Sequence, residues 1–338
     1  MRHSVAAFGW ALLAAALSAV GSAPVQARPP QQAPSCGQRG RVIFDASSTL
    51  MDDHGHPLAR FSGGESAVTL LSPPVEGSDS AKIETGTGRG SFRLRGFVKA
   101  TELRLYTNQT VPIVSGHVWL AAGTRVTAAG FSAGKVRVDK TLSTPFDQTF
   151  SATTECSALT FSPSKPAGGS APASARVFVM KGGELELFGA VPPTGPSLLT
   201  LRRAQTVEEV RFFSREQRGG FVHVQYQGDV NVDAWARAAD LTPLPRGETI
   251  AVPAASYTLS SPPQLQIAQQ PRSVKTTREL ALRAVPQDGA APIGVIEPDT
   301  DVLVMDTLGG WAKVLPKSLH VLPFGEQSFW VKSADLAP

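Results

Sequence analysis

Apolar and polar residues alternate in short runs along most of the chain. Lys135-Val136-Arg137-Val138, Glu184-Leu185-Glu186-Leu187, Phe221-Val222-His223-Val224 and Trp311-Ala312-Lys313-Val314 each put every second side chain on one apolar face. That is the period of a half-buried strand. Gly, Pro, Asp and Thr, which favour turns, bound these runs, as in Gly55-His56-Pro57 and Gly289-Ala290-Ala291-Pro292. The pattern predicts an all-β chain.

The alternation also repeats on a larger scale. Phe97-Val98-Lys99-Ala100-Thr101-Glu102-Leu103, Trp235-Ala236-Arg237-Ala238-Ala239-Asp240-Leu241 and Trp330-Val331-Lys332-Ser333-Ala334-Asp335-Leu336 share one grammar: aromatic, apolar, basic, two small residues, acidic, Leu. Phe150 to Leu159 is a looser copy, three residues longer, with Cys156 inside it. An alternating strand precedes each copy, and Glu102-Leu103-Arg104-Leu105, Glu184 to Leu187 and Glu279-Leu280-Ala281-Leu282 read as opening strands. Each unit is therefore about 60 residues of five short strands with a long loop between the first two. The boundaries fall at 41–103, 102–161, 176–243 and 274–338, after a Pro-rich tail over 28–40 and with linkers over 162–175 and 244–273. Phe97 to Leu105 closes one unit and opens the next, which predicts a rigid first half followed by two tethered units.

Gly310-Trp311-Ala312-Lys313-Val314, with Trp330 to Leu336, and Gly220-Phe221-Val222-His223-Val224, with Trp235 to Leu241, resemble the central and closing strands of the bacterial Src-homology-3-like domain. The fourth unit departs from that pattern where Pro316 to Ser328 replaces a short turn. The resemblance implies a tandem array of small five-stranded Src-homology-3-like barrels. It also implies peptide or cell-wall ligands held in an aromatic-lined groove, with Trp311 and Trp330 as the first groove candidates and Trp235 next.

Before these units, Arg2 precedes an apolar stretch from Val5 to Val20, and Val25-Gln26-Ala27 supplies small residues for cleavage. Residues 1–27 thus read as an export signal. After it, no run reaches the ~18 apolar residues needed to span a bilayer. The product is expected in the periplasm or outside the cell. Cys36 and Cys156 are the only cysteines, and an even count in an exported chain favours a disulfide. Lys and Arg number 32 against 28 Asp and Glu, a near balance that gives no electrostatic footprint for nucleic acid.

Several motifs invite a chemical reading. Gly130-Phe131-Ser132-Ala133-Gly134 fits the Gly-x-Ser-x-Gly pattern, but that pattern needs a strand turning into a helix, and an alternating run follows. Asp52-Asp53-His54-Gly55-His56 gathers metal-ligating types, yet occupies a position where other repeats carry only turn residues. Gly86 to Ser91 lacks the helix that a phosphate loop requires. Asn108-Gln109-Thr110 is a glycosylation sequon. The expectation is a non-enzymatic exported binding protein without metal or cofactor, its partner peptidoglycan or an envelope protein. The alternative is a structural or assembly protein of the envelope.

Overall fold

Short strands joined by tight turns account for almost every regular element of the chain. The structure, a computed structural model, describes residues 36–75, 77–86, 89–163, 175–191, 196–207, 209–245 and 271–336. The expected export signal over 1–27 and most of the 28–40 tail and of both expected linkers lie outside the described residues. Among those described there is no α-helix, and four 3-10 turns interrupt the strands. The chain is all-β.

Each segment follows one plan. In the first, β1 (Gln38–Phe44) leads to a hairpin of β2 (Thr49–Met51) and β3 (Pro57–Phe61), then to a meander of β4 (Gly64–Ser72), β5 (Ser80–Thr85) and β6 (Phe92–Lys99). The second has β7 (Leu105–Thr107), the hairpin β8 (Val111–Val114) and β9 (Val118–Leu120), and the meander β10 (Arg125–Ser132), β11 (Lys135–Leu142) and β12 (Gln148–Glu155), closed by β13 (Leu159–Thr160). The third has β14 (Arg176–Met180), the hairpin β15 (Glu184–Leu187) and β16 (Leu199–Arg202), and then β17 (Arg211–Ser214), the short β18 (Gln217–Arg218), β19 (Phe221–Tyr226) and β20 (Val230–Arg237), closed by β21 (Leu241–Pro243). The fourth has β22 (Arg272–Lys275), the hairpin β23 (Leu280–Arg283) and β24 (Pro292–Ile296), and then β25 (Asp301–Leu308), β26 (Trp311–Pro316), β27 (Val321–Pro323) and β28 (Phe329–Lys332). The Glu-Leu-x-Leu runs were expected to open the units. Glu184 to Leu187 and the run ending at Leu282 instead form the first strand of a hairpin, and the openers are β14 and β22. Those two strands have weaker alternation, which is why the stronger runs stood out.

The seven-residue motif ends in the same kind of turn in every copy. The 3-10 turns are Ala100–Glu102, Cys156–Ala158, Ala238–Asp240 and Ser333–Leu336, and the Leu that follows or ends each turn, Leu103, Leu159, Leu241 or Leu336, is buried. Register makes the equivalence checkable. Phe97, Trp235 and Trp330 lie opposite Lys82, His223 and Lys313 in the neighbouring strand. The corresponding partner of Arg137 is Thr153, not Phe150. The three extra residues of the second copy therefore lengthen the strand and turn Phe150 inward, where it is 2% exposed.

The segments are not strung out as tethered units. In the first and fourth, β6 pairs with β24 through Phe92↔Ile296, Arg93↔Val295 and Leu94↔Gly294, and β27, inside the long loop 316–328, pairs back onto β3. The second and third repeat the relation: β20 pairs with β9 through Val230↔Leu120 to Val232↔Val118, and Phe146 of the loop before β12 bridges to Arg203 after β16. In both pairs, the last meander strand of one segment lies on the second hairpin strand of the other, whose own loop reaches back. Sheets of thirteen, five, eight and two strands result among the described residues, and each is an open strand order. Rings from both sides fill the second seam: Phe146 stands edge-on to Tyr226 at 5.0 Å, and burial, with Asp229 nearby, pushes the Tyr226 hydroxyl up to about 12. The Cys36–Cys156 disulfide closes a separation of 120 residues and ties the first segment to the second, where the Phe161 side chain fills the space that a side chain at position 40 would take.

Gly294 is required by the close approach of β6, since a Cβ there would strike the Arg93 carbonyl oxygen and the Leu94 side chain. Gly294→Ala is expected to lower stability by about 1–3 kcal/mol through overpacking. Gly289→Ala, which meets nothing within 4 Å, should leave the urea midpoint unchanged. Reduction of the disulfide should lower stability by about 4–5 kcal/mol, the loop-closure value for a loop of this size, read from urea unfolding of Cys36→Ala/Cys156→Ala against the parent.

Candidate functional site

The alternation that buries Ala81, Ile83 and Leu94 turns Lys82, Glu84, Arg93 and Arg95 outward from β5 and β6. Where β24 joins β6, these charges meet the partly exposed side chains of Ile293 and Val295, with Leu58 and Leu71 completing an apolar floor. The resulting open groove has a volume of about 720 Å³, within the range of ligand sites. Its rim charges are held in pairs. Lys82 Nζ lies 3.1 Å from Asp53, Arg95 Nε 2.5 Å from Glu84, and Arg93 reaches Glu279 at 3.0 Å and Glu297 at 2.9 Å. Such a rim can offer dipoles and hydrogen bonds to a ligand, and the floor apolar contact. A bound segment would gain little from net charge, because each rim cation already faces an acid.

At the groove mouth, Asp52 fixes the β2–β3 turn. Its Oδ1 accepts the backbone N–H groups of His54 and His56, each at 2.8 Å. Desolvation works to raise its pKa, but these donors outweigh it and hold the carboxyl below the ordinary range. Asp52 is thus used for the geometry of this turn and Asp53 for the pair with Lys82, and no cluster of three or more His, Cys, Asp or Glu suited to a metal occurs among the described residues. Ser132 ends β10 opposite Lys135, with Ala133 at φ 50° and Gly134 at φ 80° forming a two-residue hairpin turn. The Gly-x-Ser-x-Gly stretch is therefore a hairpin tip. Gly86 and Ser91 are followed by strand β6.

The three tryptophan candidates do not share one site. Trp311 and Trp330 lie on the same outer face of the β26–β28 ladder, opposite Lys332 and Lys313 respectively, whereas Trp235 belongs to the eight-stranded sheet. Trp311 is only 6% exposed. Arg283 and Lys332 cover its ring at 5.8 and 5.9 Å, and Lys332 is held over it by Asp288 at 2.6 Å. The ammonium's hydrogen bond and charge hold the Asp288 carboxyl below its usual range. Trp330 is partly exposed, and Trp235 stacks at a tilt against His223 at 4.9 Å. The groove residues of β6 and β24 escaped sequence reasoning because each half looks like an ordinary strand. The one available signal was glycine inside alternating runs, Gly96 and Gly294, which marks a close backbone approach.

Comparison with known proteins gives no relative: no family model, no curated protein and no solved structure matches this chain.

Since Trp311 is packed under two cations, Trp311→Ala is expected to act on stability, lowering it by about 3 kcal/mol. The partly exposed Trp330→Ala should lower it less, as compared by urea midpoints of the two variants.

Proposed function

We propose that this is an exported, non-enzymatic binding protein built of degenerate Src-homology-3-like units, which holds an extended peptide segment in the groove between its first and fourth units. The observation that carries the reading is the groove itself, an apolar floor of Leu58, Leu71, Ile293 and Val295 beneath a rim of paired charges. Support for the unit type comes from strand order. The second and third segments run closing strand, opening strand, then meander, as β13-β7-β10-β11-β12 and β21-β14-β17-β19-β20, with a 3-10 turn before each closing strand. The ligand is a peptidoglycan peptide or an extended segment of an envelope protein, since either offers backbone dipoles to the rim and side chains to the floor.

A second reading, a structural or assembly protein of the envelope, draws on the buried Trp311 and on the ladders that lock the segments in pairs. Co-sedimentation with purified sacculi and binding to an array of short synthetic peptides separate the two. Under the binding reading, the wild-type chain co-sediments or selects peptides, and Ile293→Glu, which buries a charge on the groove floor, abolishes this while the fold survives by circular dichroism. A wild-type chain that stays in the supernatant and selects no peptide refutes the binding reading and leaves the structural one.

A further inference from the structure

The outer face of the eight-stranded sheet carries a second constellation, separate from the groove. Burial alternates along β9, along β20 to Ala236 and along β19 as far as Gln225: Val118 and Leu120, Val222 and Val224, and Val230, Val232, Ala234 and Ala236 all point to the core. The intervening residues therefore share the opposite face. Register fixes their neighbours. Trp119 of β9 lies beside Asn231, Gln225 beside Asp233, and His223 beside Trp235. All six are partly exposed.

The polar groups between the two tryptophans are held in place before any ligand arrives. Asp233 Oδ1 lies 2.6 Å from His223 Nε2, and Gln225 Nε2 donates to Asp233 Oδ2 at 3.0 Å. His117, the next residue of the seam, lies with its Nδ1 3.1 Å from the Asp233 carbonyl oxygen. Trp235 follows Asn231, the register partner of Trp119, by four residue steps, which sets the backbone positions of the two tryptophans about 13 Å apart along the strand.

We propose that this face binds an oligosaccharide of about three rings, with the terminal sugars on Trp119 and Trp235 and the middle hydroxyls on the Asp233, Gln225 and His223 cluster. The chemistry selects this occupant in three ways. Indole faces take the apolar face of a pyranose while amide, imidazole and carboxylate groups both donate to and accept from hydroxyls. The Asp233 carboxylate at the centre of the face disfavours a polyanion. An extended peptide adding as a strand requires a free edge, and β20 is paired on both sides, by β19 and β9. The site does not rest on the groove, with which it shares no residue.

The test is isothermal titration of the full exported chain with triacetylchitotriose and with maltotriose, which tell an acetamido sugar from a plain glucan. Saturable binding of at least one trisaccharide is expected. Trp119→Ala and, as the milder variant that keeps an aromatic ring, Trp235→Phe should each weaken it more than tenfold, with thermal unfolding checking that both remain folded. Ile293→Glu should leave it unchanged, so failure of the groove and failure of this face are distinguishable. Absence of saturable binding by the wild-type chain, or binding that survives both tryptophan variants, overturns the proposal.

Discussion

Unpaired strand edges are the constraint from which the architecture follows. Open meanders of three or four short strands expose rows of backbone N–H and C=O groups, and an edge left in water is both unsatisfied by protein and prone to wrong pairing. Here two of those edges are satisfied by other segments of the same chain, β6 by β24 and β20 by β9. Each junction is then doubled by a loop that returns to the partner's hairpin. Small units of this size bury little core alone. Pairing them merges their interiors, so Phe92 of the first segment packs near Phe329 of the fourth at 6.1 Å.

The same pairing creates the groove. Neither segment holds it alone, because the floor needs Leu58 and Leu71 from one and Ile293 and Val295 from the other. Its rim also reaches across the seam, with Arg93 bridged to Glu279 and Glu297. A ligand in this groove would therefore contact both segments and favour their paired state, which couples binding to the stability of the ladder beneath it.

Much of this was legible in the sequence, and the parts that were not share a physical reason. Period-two alternation located the meander strands, because side-chain burial leaves a mark on residue type, while the seven-residue motif, read as a closing strand, proves to be the end of a strand followed by a 3-10 turn. The disulfide was legible from the even cysteine count, read together with the expected export signal. The seams were not, since ladder hydrogen bonds use backbone groups that every residue carries. The long Pro316–Ser328 loop looked like a departure from the pattern, and it is the segment that carries β27 onto β3. Trp311 was read as a groove residue from its place in the motif. Its alternation does put it on the outer face, but alternation cannot show that Arg283 and Lys332 fold over that face. Phe150 misled in the opposite way, its aromatic ring matching the motif while its register placed it in the core.

Comparing equivalent positions explains why the copies look degenerate. Aligning Phe97 with Trp235 matches the inward residues Leu94 and Val98 with Val232 and Ala236, all buried and apolar. The outward residues change character, from Arg93 and Arg95 to Asn231 and Asp233, and across the seam from Val295 to Trp119. Inward positions are bound by packing, where a polar side chain without a partner costs several kcal/mol. Outward ones are bound only by what touches them. The divergence is therefore concentrated where it costs the fold least, and it leaves two equivalent junctions with different surface chemistry: paired charges over an apolar floor at one, aromatic rings around a fixed carboxylate at the other. Recognition can differ between the two while the ladders beneath them stay the same.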